Sequence, residues 1–97
     1  MDQQWTNRPV VDEHHARVGK VTDVFFGEVG DQPEWAAVKT GLLAEHLAPL
    51  DGAYVAEDGT LVLPYSERTV KGAPKPPRDH ILTPADADEA MSYYDLN

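Results

Sequence analysis

Apolar and polar positions divide the chain into short β-prone runs separated by turns, followed by two helical patterns. Val10-Val11 after Pro9 is a short apolar pair, and the polar Asp12-Glu13-His14-His15 that follows reads as a turn. Arg17 to Phe26 (RVGKVTDVFF) is rich in Val and Phe, which fit a pleated surface. Its apolar positions Val18, Val21 and Val24 lie three apart, a spacing that a helix would also give. The β-branched content, and Gly19 as a host for a bulge or sharp bend, favour a bent strand. A Gly/Pro-bounded polar turn, Gly27 to Pro33, leads into a second long strand, Glu34 to Thr40, closed by Gly41. Leu42-Leu43-Ala44-Glu45 is a short connection, and His46 to Leu50 is the third main strand. Tyr54-Val55-Ala56 and Thr60 to Leu63 flank Glu57-Asp58-Gly59. An Asp-Gly pair between β-prone runs predicts a hairpin with a type I′ turn. Val18, Val21, Val24, Trp35, Val38, Leu50, Leu61 and Leu63 are the expected core.

The helical signals come late. Ser66 is placed to cap one turn, Glu67 to Lys71, with Gly72 as its stop. Ala73 to Arg78 (APKPPR) is proline-rich and expected to run extended. The last element has Thr83 as N-cap, Pro84 at the first helical position and Asp86 in the positive first turn. Leu82 is placed to staple to Ala87. Ala87, Ala90, Met91 and Tyr94 form a single helical stripe. The expected organisation is a loose segment over 1–8, a barrel domain over 9–74, a proline-rich arm over 75–82 and a C-terminal helix over 83–97.

Composition narrows the function classes. At 97 residues the chain has room for one domain. It has no cysteine, so a disulfide framework and a thiolate metal site are both excluded. No apolar run approaches the roughly 20 residues of a membrane span. The first residues lack the basic and apolar regions of a signal peptide, so a cytoplasmic location is expected. The net charge of −9 comes from 17 acids and 8 bases, and the bases are scattered singly along the sequence. Nucleic acid and anionic membrane are therefore disfavoured as partners. Asp79 to Asn97 holds five acids and no Lys or Arg. That stretch is either a solvated helix face or a docking segment for a basic partner, with Asp86 and Glu89 as its candidate contacts.

The order of motifs resembles the PRC-barrel family. The residues that carry the likeness are Val18 to Phe25, Pro33 to Gly41, Ala48-Pro49-Leu50-Asp51-Gly52-Ala53, Leu63-Pro64-Tyr65 and Val70 to Pro74. The tail from Leu82 to Tyr94 is similar to the extension on single-domain bacterial members, and the likeness spans Arg8 to Leu96. The resemblance implies a mainly β fold: a small, strongly bent, six-stranded PRC-type β-barrel with a short helical turn and a C-terminal helix. Relatives include a domain of the photosynthetic reaction-centre H subunit and one of a ribosomal small-subunit maturation factor. They share docking onto larger assemblies, and no catalytic motif carries over. One departure is the first turn, where Asp12-Glu13-His14-His15 replaces the usual Gly or Asp-Gly.

Candidate chemistry is thin. His14 and His15 could share a metal only within a turn, with Asp12 or Glu13 adding an oxygen, and solvated turn histidines are the simpler expectation. His46 and His80 lie far off in sequence. Ser66 and Ser92 read as a cap and a solvent-facing helix residue, so no activated nucleophile is expected. Asp23 is expected to point outward or brace a turn. No cofactor and no enzymatic activity are expected. Trp35 is assigned to the barrel interior in preference to a binding role. Tyr93 and Tyr94 cannot share one helix stripe, which leaves Tyr93 as the contact candidate.

The expectation is an interaction module that docks onto an unidentified protein and forms a homodimer. The alternatives are a small-molecule or metal-binding regulator and an accessory factor in ribosome or RNA maturation. The dimer argument is that a short six-stranded barrel leaves a strand edge to cover. The arm, reaching about 19 Å at ~3.1 Å per residue, lets the last helix pack on its own barrel or on a neighbour. Leu42 and Leu43, with no evident place in the core, are the expected contact.

Overall fold

The structure, a computed structural model, describes residues 5–26 and 33–96. The polar turn expected over 27–33 falls outside the described residues except for Pro33. Strands β1 (Pro9–Val11), β2 (Arg17–Phe26), β3 (Pro33–Lys39), β4 (Glu45–Pro49), β5 (Tyr54–Val55) and β6 (Leu61–Val62) are followed by helices α1 (Glu67–Lys71) and α2 (Pro84–Tyr93). The six strands form one curled sheet in the order β4-β3-β2-β1-β6-β5. All pairings are antiparallel except β1 with β6, where Val10 lies opposite Leu61.

The three-apart valines of β2 have a structural cause. Register shifts fall opposite Val10/Val11 and between Val21 and Asp23, leaving Val18 and Thr22 as extra residues in the ladder. An extra residue resets the in–out alternation and sharpens the local twist. Val18, Val21 and Val24 all become buried as a result. Gly19 completes the bend, because a Cβ there would overlap the carbonyl oxygen of Lys39.

Burial is two-sided. Val10, Val18, Val21, Val24, Ala36, Val38, Ala48, Leu61, Leu63 and Val70 form the interior of the curl. Phe25, Trp35, Ala37, Leu47, Ala73, Ala90 and Tyr94 form a second core on the outer face of β2, β3 and β4. Two sequence assignments change accordingly. Trp35 is buried, but outside the curl and beneath α2. Leu50 is half-buried and only packs against the interior. The unbroken run Trp35-Ala36-Ala37-Val38 feeds both cores in alternation, as expected of a strand covered on both faces.

Helix α2 begins and ends on well-satisfied caps. Thr83 Oγ1 accepts from the Asp86 backbone N–H at 3.1 Å, and Asp86 Oδ2 accepts from the Thr83 N–H at 3.2 Å. At the other end Asp95 takes a left-handed conformation, φ 60°. The Leu96 N–H donates to Met91 O and the Asp95 N–H to Ser92 O, the pattern of a Schellman cap.

Two expectations are revised, and the geometry of the first turn, open from sequence, is defined. The hairpin over 56–60 has positive φ at Gly59 only, so it is not a type I′ turn. The Gly59 N–H donates to Ala56 O and the Ala56 N–H to Thr60 O, which defines a three-residue loop with its left-handed position at Gly59. The first hairpin repeats this geometry: the His15 N–H donates to Asp12 O, the Asp12 N–H donates to Ala16 O, and His15 has φ 65°. His15 therefore occupies the position that a glycine would fill. Residues 5–8, expected to be loose, are pinned. Trp5 packs on the interior core, the Asn7 N–H donates to Val21 O, and Arg8 Nη1 donates to Gly59 O at 2.7 Å.

His15→Gly should raise stability by about 1 kcal/mol, the approximate cost of holding a side chain in the left-handed region. Chemical denaturation measures it, and an unchanged or lowered midpoint would contradict the turn geometry. Leu61→Asp, placing a lone charge at a site only 1% exposed, should cost several kcal/mol and abolish the cooperative melting transition seen by circular dichroism.

Candidate interaction surface

The β3–β4 turn carries Leu42 and Leu43, whose exposures are 85% and 93%. Thr40 N–H donates to Ala44 O across its base at 2.9 Å, so the turn is closed by backbone and projects both leucines outward. Leu43 borders a groove of about 330 Å³ shared with Glu45, Pro76, Pro77 and Arg78. This turn is thus joined to the proline-rich arm on the surface.

The arm and α2 lie on the chain's own barrel, and they cover the edge strand β4. The Leu47 N–H donates to Pro74 O at 2.9 Å, and the Leu47 carbonyl accepts from Tyr94 Oη at 2.6 Å. His46 Nδ1 is 2.7 Å from Ala73 O, a contact in which the ring N–H donates to the carbonyl. The strand edge that the dimer argument left to be covered is therefore occupied in cis at its centre. At the opposite edge, β5 presents Tyr54 and Val55 to solvent. Burial, with smaller contributions from the neighbouring Tyr93 and Tyr65, pushes the Tyr94 phenol well above its ordinary value.

The remaining candidates are placed as follows. Tyr93 is 41% exposed, and its hydroxyl donates to Thr69 O at 2.6 Å, clipping α2 to α1. Glu89 is exposed on the outer face of α2, whereas the Asp86 carboxylate is engaged in the N-cap. Asp23 Oδ2 pairs with His80 Nδ1 at 2.7 Å and so braces the arm, with His80 at φ 63°. His14 and His15 lie on the first hairpin, His46 at the β4 edge and His80 on the arm, in three separate settings. Among the described residues no group of three or more His, Cys, Asp or Glu is arranged to hold a metal ion.

One polar group, named from sequence only as a possible oxygen ligand, takes a structural role instead. Asp12, only 3% exposed, accepts at Oδ1 from the backbone N–H groups of His14 and Ala16. Its Oδ2 accepts from the N–H of Glu67, the first residue of α1, at 2.9 Å. Burial acts to raise its carboxyl. The Glu67, Ala16 and His14 N–H donors, with the His14 charge, more than offset this and hold it below the usual carboxylate range. The first turn is therefore fastened to α1 by a single carboxylate. The signal available in sequence was Asp at the opening of a turn, where its side chain commonly bonds the backbone two residues on.

The curled six-stranded sheet with its short helical turn is consistent with one domain family. The chain belongs to the PRC-barrel domain family, whose model matches residues 2–89. No curated relative matches it. Among the described residues no helix is long and apolar enough to cross a membrane.

Asp12→Asn should destabilise the fold by about 1–3 kcal/mol at neutral pH by weakening the bonds to three backbone donors. Because the Asp12 carboxyl titrates lower in the folded chain than in the unfolded one, its contribution is full above the unfolded value of about 3.9. It is lost as pH falls through the folded value. Urea denaturation of wild type and Asp12→Asn across this range should show their difference shrinking toward acid. A difference independent of pH would remove the carboxylate from this role.

Proposed function

We propose that the chain is a non-catalytic protein-interaction module that docks onto a larger assembly, with the Leu42-Leu43 turn as its contact, and that self-associates through the same turn. The supporting observation is the exposure of those two leucines. Covering each side chain contributes about 1.5–3 kcal/mol, so leaving both in water is a standing cost that a partner removes. Membership of the PRC-barrel family supports the docking role. Of the two placements left open from sequence α2 takes the one in cis, and the centre of the β4 edge is covered, so the pairing rests on the leucine turn that was the expected contact. A two-fold arrangement sets the same patch against itself.

Multi-angle light scattering at high micromolar concentration should report twice the 10.7 kDa chain mass. The double variant Leu42→Glu, Leu43→Glu should run as a folded monomer with an unchanged melting transition. A monomeric wild type would refute self-association. Equal recovery of partner proteins by wild type and double variant would refute the turn as the docking contact.

A further inference from the structure

Lys20 on β2 and Lys39 on β3 are direct cross-strand partners. Like charges placed opposite one another in a sheet are destabilising. Arg17 and Lys71 border the same groove, about 370 Å³ in volume, with Gly19 and Thr40 also in its lining. Four of the chain's eight basic residues thus converge on one place, although in sequence they are separated and the net charge is −9. Among the described residues Arg17, Lys20 and Lys39 have no acidic partner within 4 Å, Lys39 lying opposite Glu45 of β4 without an ion pair, while Lys71 is paired with Glu67 at 2.8 Å. Gly19 lets the Lys39 backbone approach β2 closely at this groove, where a Cβ would overlap the Lys39 carbonyl.

We propose that this groove binds a carboxylate-rich segment of a partner protein, the Lys20–Lys39 pair being the centre of the site. The inference rests on the docking role given above and names the chemistry of the partner. An anion between the two lysines converts a repulsive pair into two attractive ones. A short acidic segment suits the site better than a long polyanion, because a nucleic acid or an anionic bilayer also meets the field of the whole acidic chain. The chain's own acidic stretch is a poor occupant. Tyr94 and Ala90 hold that helix on its own barrel, and Asp86 is engaged in its cap.

The test is an amide chemical-shift titration of the isotope-labelled full chain with acetylated hexaglutamate, at low salt and at about 0.15 M, where screening acts over ~8 Å. Inorganic phosphate and a short single-stranded RNA serve as parallel probes. Hexaglutamate should shift the amides of Gly19, Lys20, Lys39 and Thr40 saturably and more weakly at the higher salt. The double variant Lys20→Gln, Lys39→Gln should bind about tenfold more weakly, since charges at such a site govern association and its salt dependence. Its melting temperature should be equal to wild type or higher, because the repulsion is gone. Unshifted groove amides at low salt, tighter binding of RNA or of phosphate, or a lowered melting temperature in the variant would each overturn the proposal. Loss of a wild-type dimer in the lysine variant would do so too, by making the occupant a second copy. A monomeric wild type leaves this titration untouched, and an unshifted groove leaves the leucine turn untouched, so the two readings fail separately.

Discussion

The fold depends on the fact that β3 is buried on both faces. Ala36 and Val38 turn into the curl while Trp35 and Ala37 turn out of it, and both sets lie beneath other residues. A sheet of this size can close its inner face by bending, but bending does nothing for the outer one. The outer face needs a separate cover, and α2 supplies it. Tyr94 is the point of contact, its ring packed edge-on against Tyr65 with centroids 4.9 Å apart. Its hydroxyl reaches the Leu47 carbonyl, so one side chain both shields Trp35 and satisfies the backbone of the outermost strand. The arm is constrained by the same requirement. It must deliver the helix to that face, and Ala73 and Pro74 pair with β4 on the way. Barrel, arm and helix are thus one packed body.

The inner face depends on the bend in β2. A flat strand would turn every second residue inward and set Val21 on the opposite face from Val18 and Val24. Two extra residues in the ladder and a glycine where another strand's carbonyl approaches allow all three to face inward. This feature was legible in the sequence, since the β-branched content and the position of Gly19 favoured a bent strand over the helix that the valine spacing also allowed. The N-cap of α2 was legible for a similar reason: Thr83, Pro84 and Asp86 act within one turn of chain, and local signals survive folding unchanged.

What was not legible depends on distance in sequence. Trp35 was assigned to the interior because a large ring in a small barrel has few other places to go. The outer core that holds it is assembled from residues 25 to 94, and the only local hint was the unbroken apolar run in β3. The first turn shows the same limit. Its departure from the family's usual glycine left its geometry open, and His15 solves the backbone problem by adopting the left-handed conformation itself. Asp12 then compensates by bonding two N–H groups within the turn and a third 55 residues away. An aspartate in a turn is ordinary in sequence. Its burial becomes visible only when α1 is seen to begin against it.

Charge shows how far the order of residues can mislead about their placement. Along the sequence the bases look diluted, and a net charge of −9 argues against any anionic ligand. Folding concentrates them, because β2 and β3 pair in a register that sets Lys20 against Lys39 and because the bend at Gly19 brings Arg17 and the end of α1 to the same groove. The bend that buries the valines therefore also creates the one groove lined by four cations among those described. Shifting the β2–β3 register by one residue would separate the lysines, but it would also turn Val21 and Val38 out of the core. The register is held by the hydrophobic interior, and the repulsion between the two lysines is far too small to change it. A like-charge pair locked in place in this way is a stored electrostatic cost, and an acidic ligand at that groove is what would relieve it.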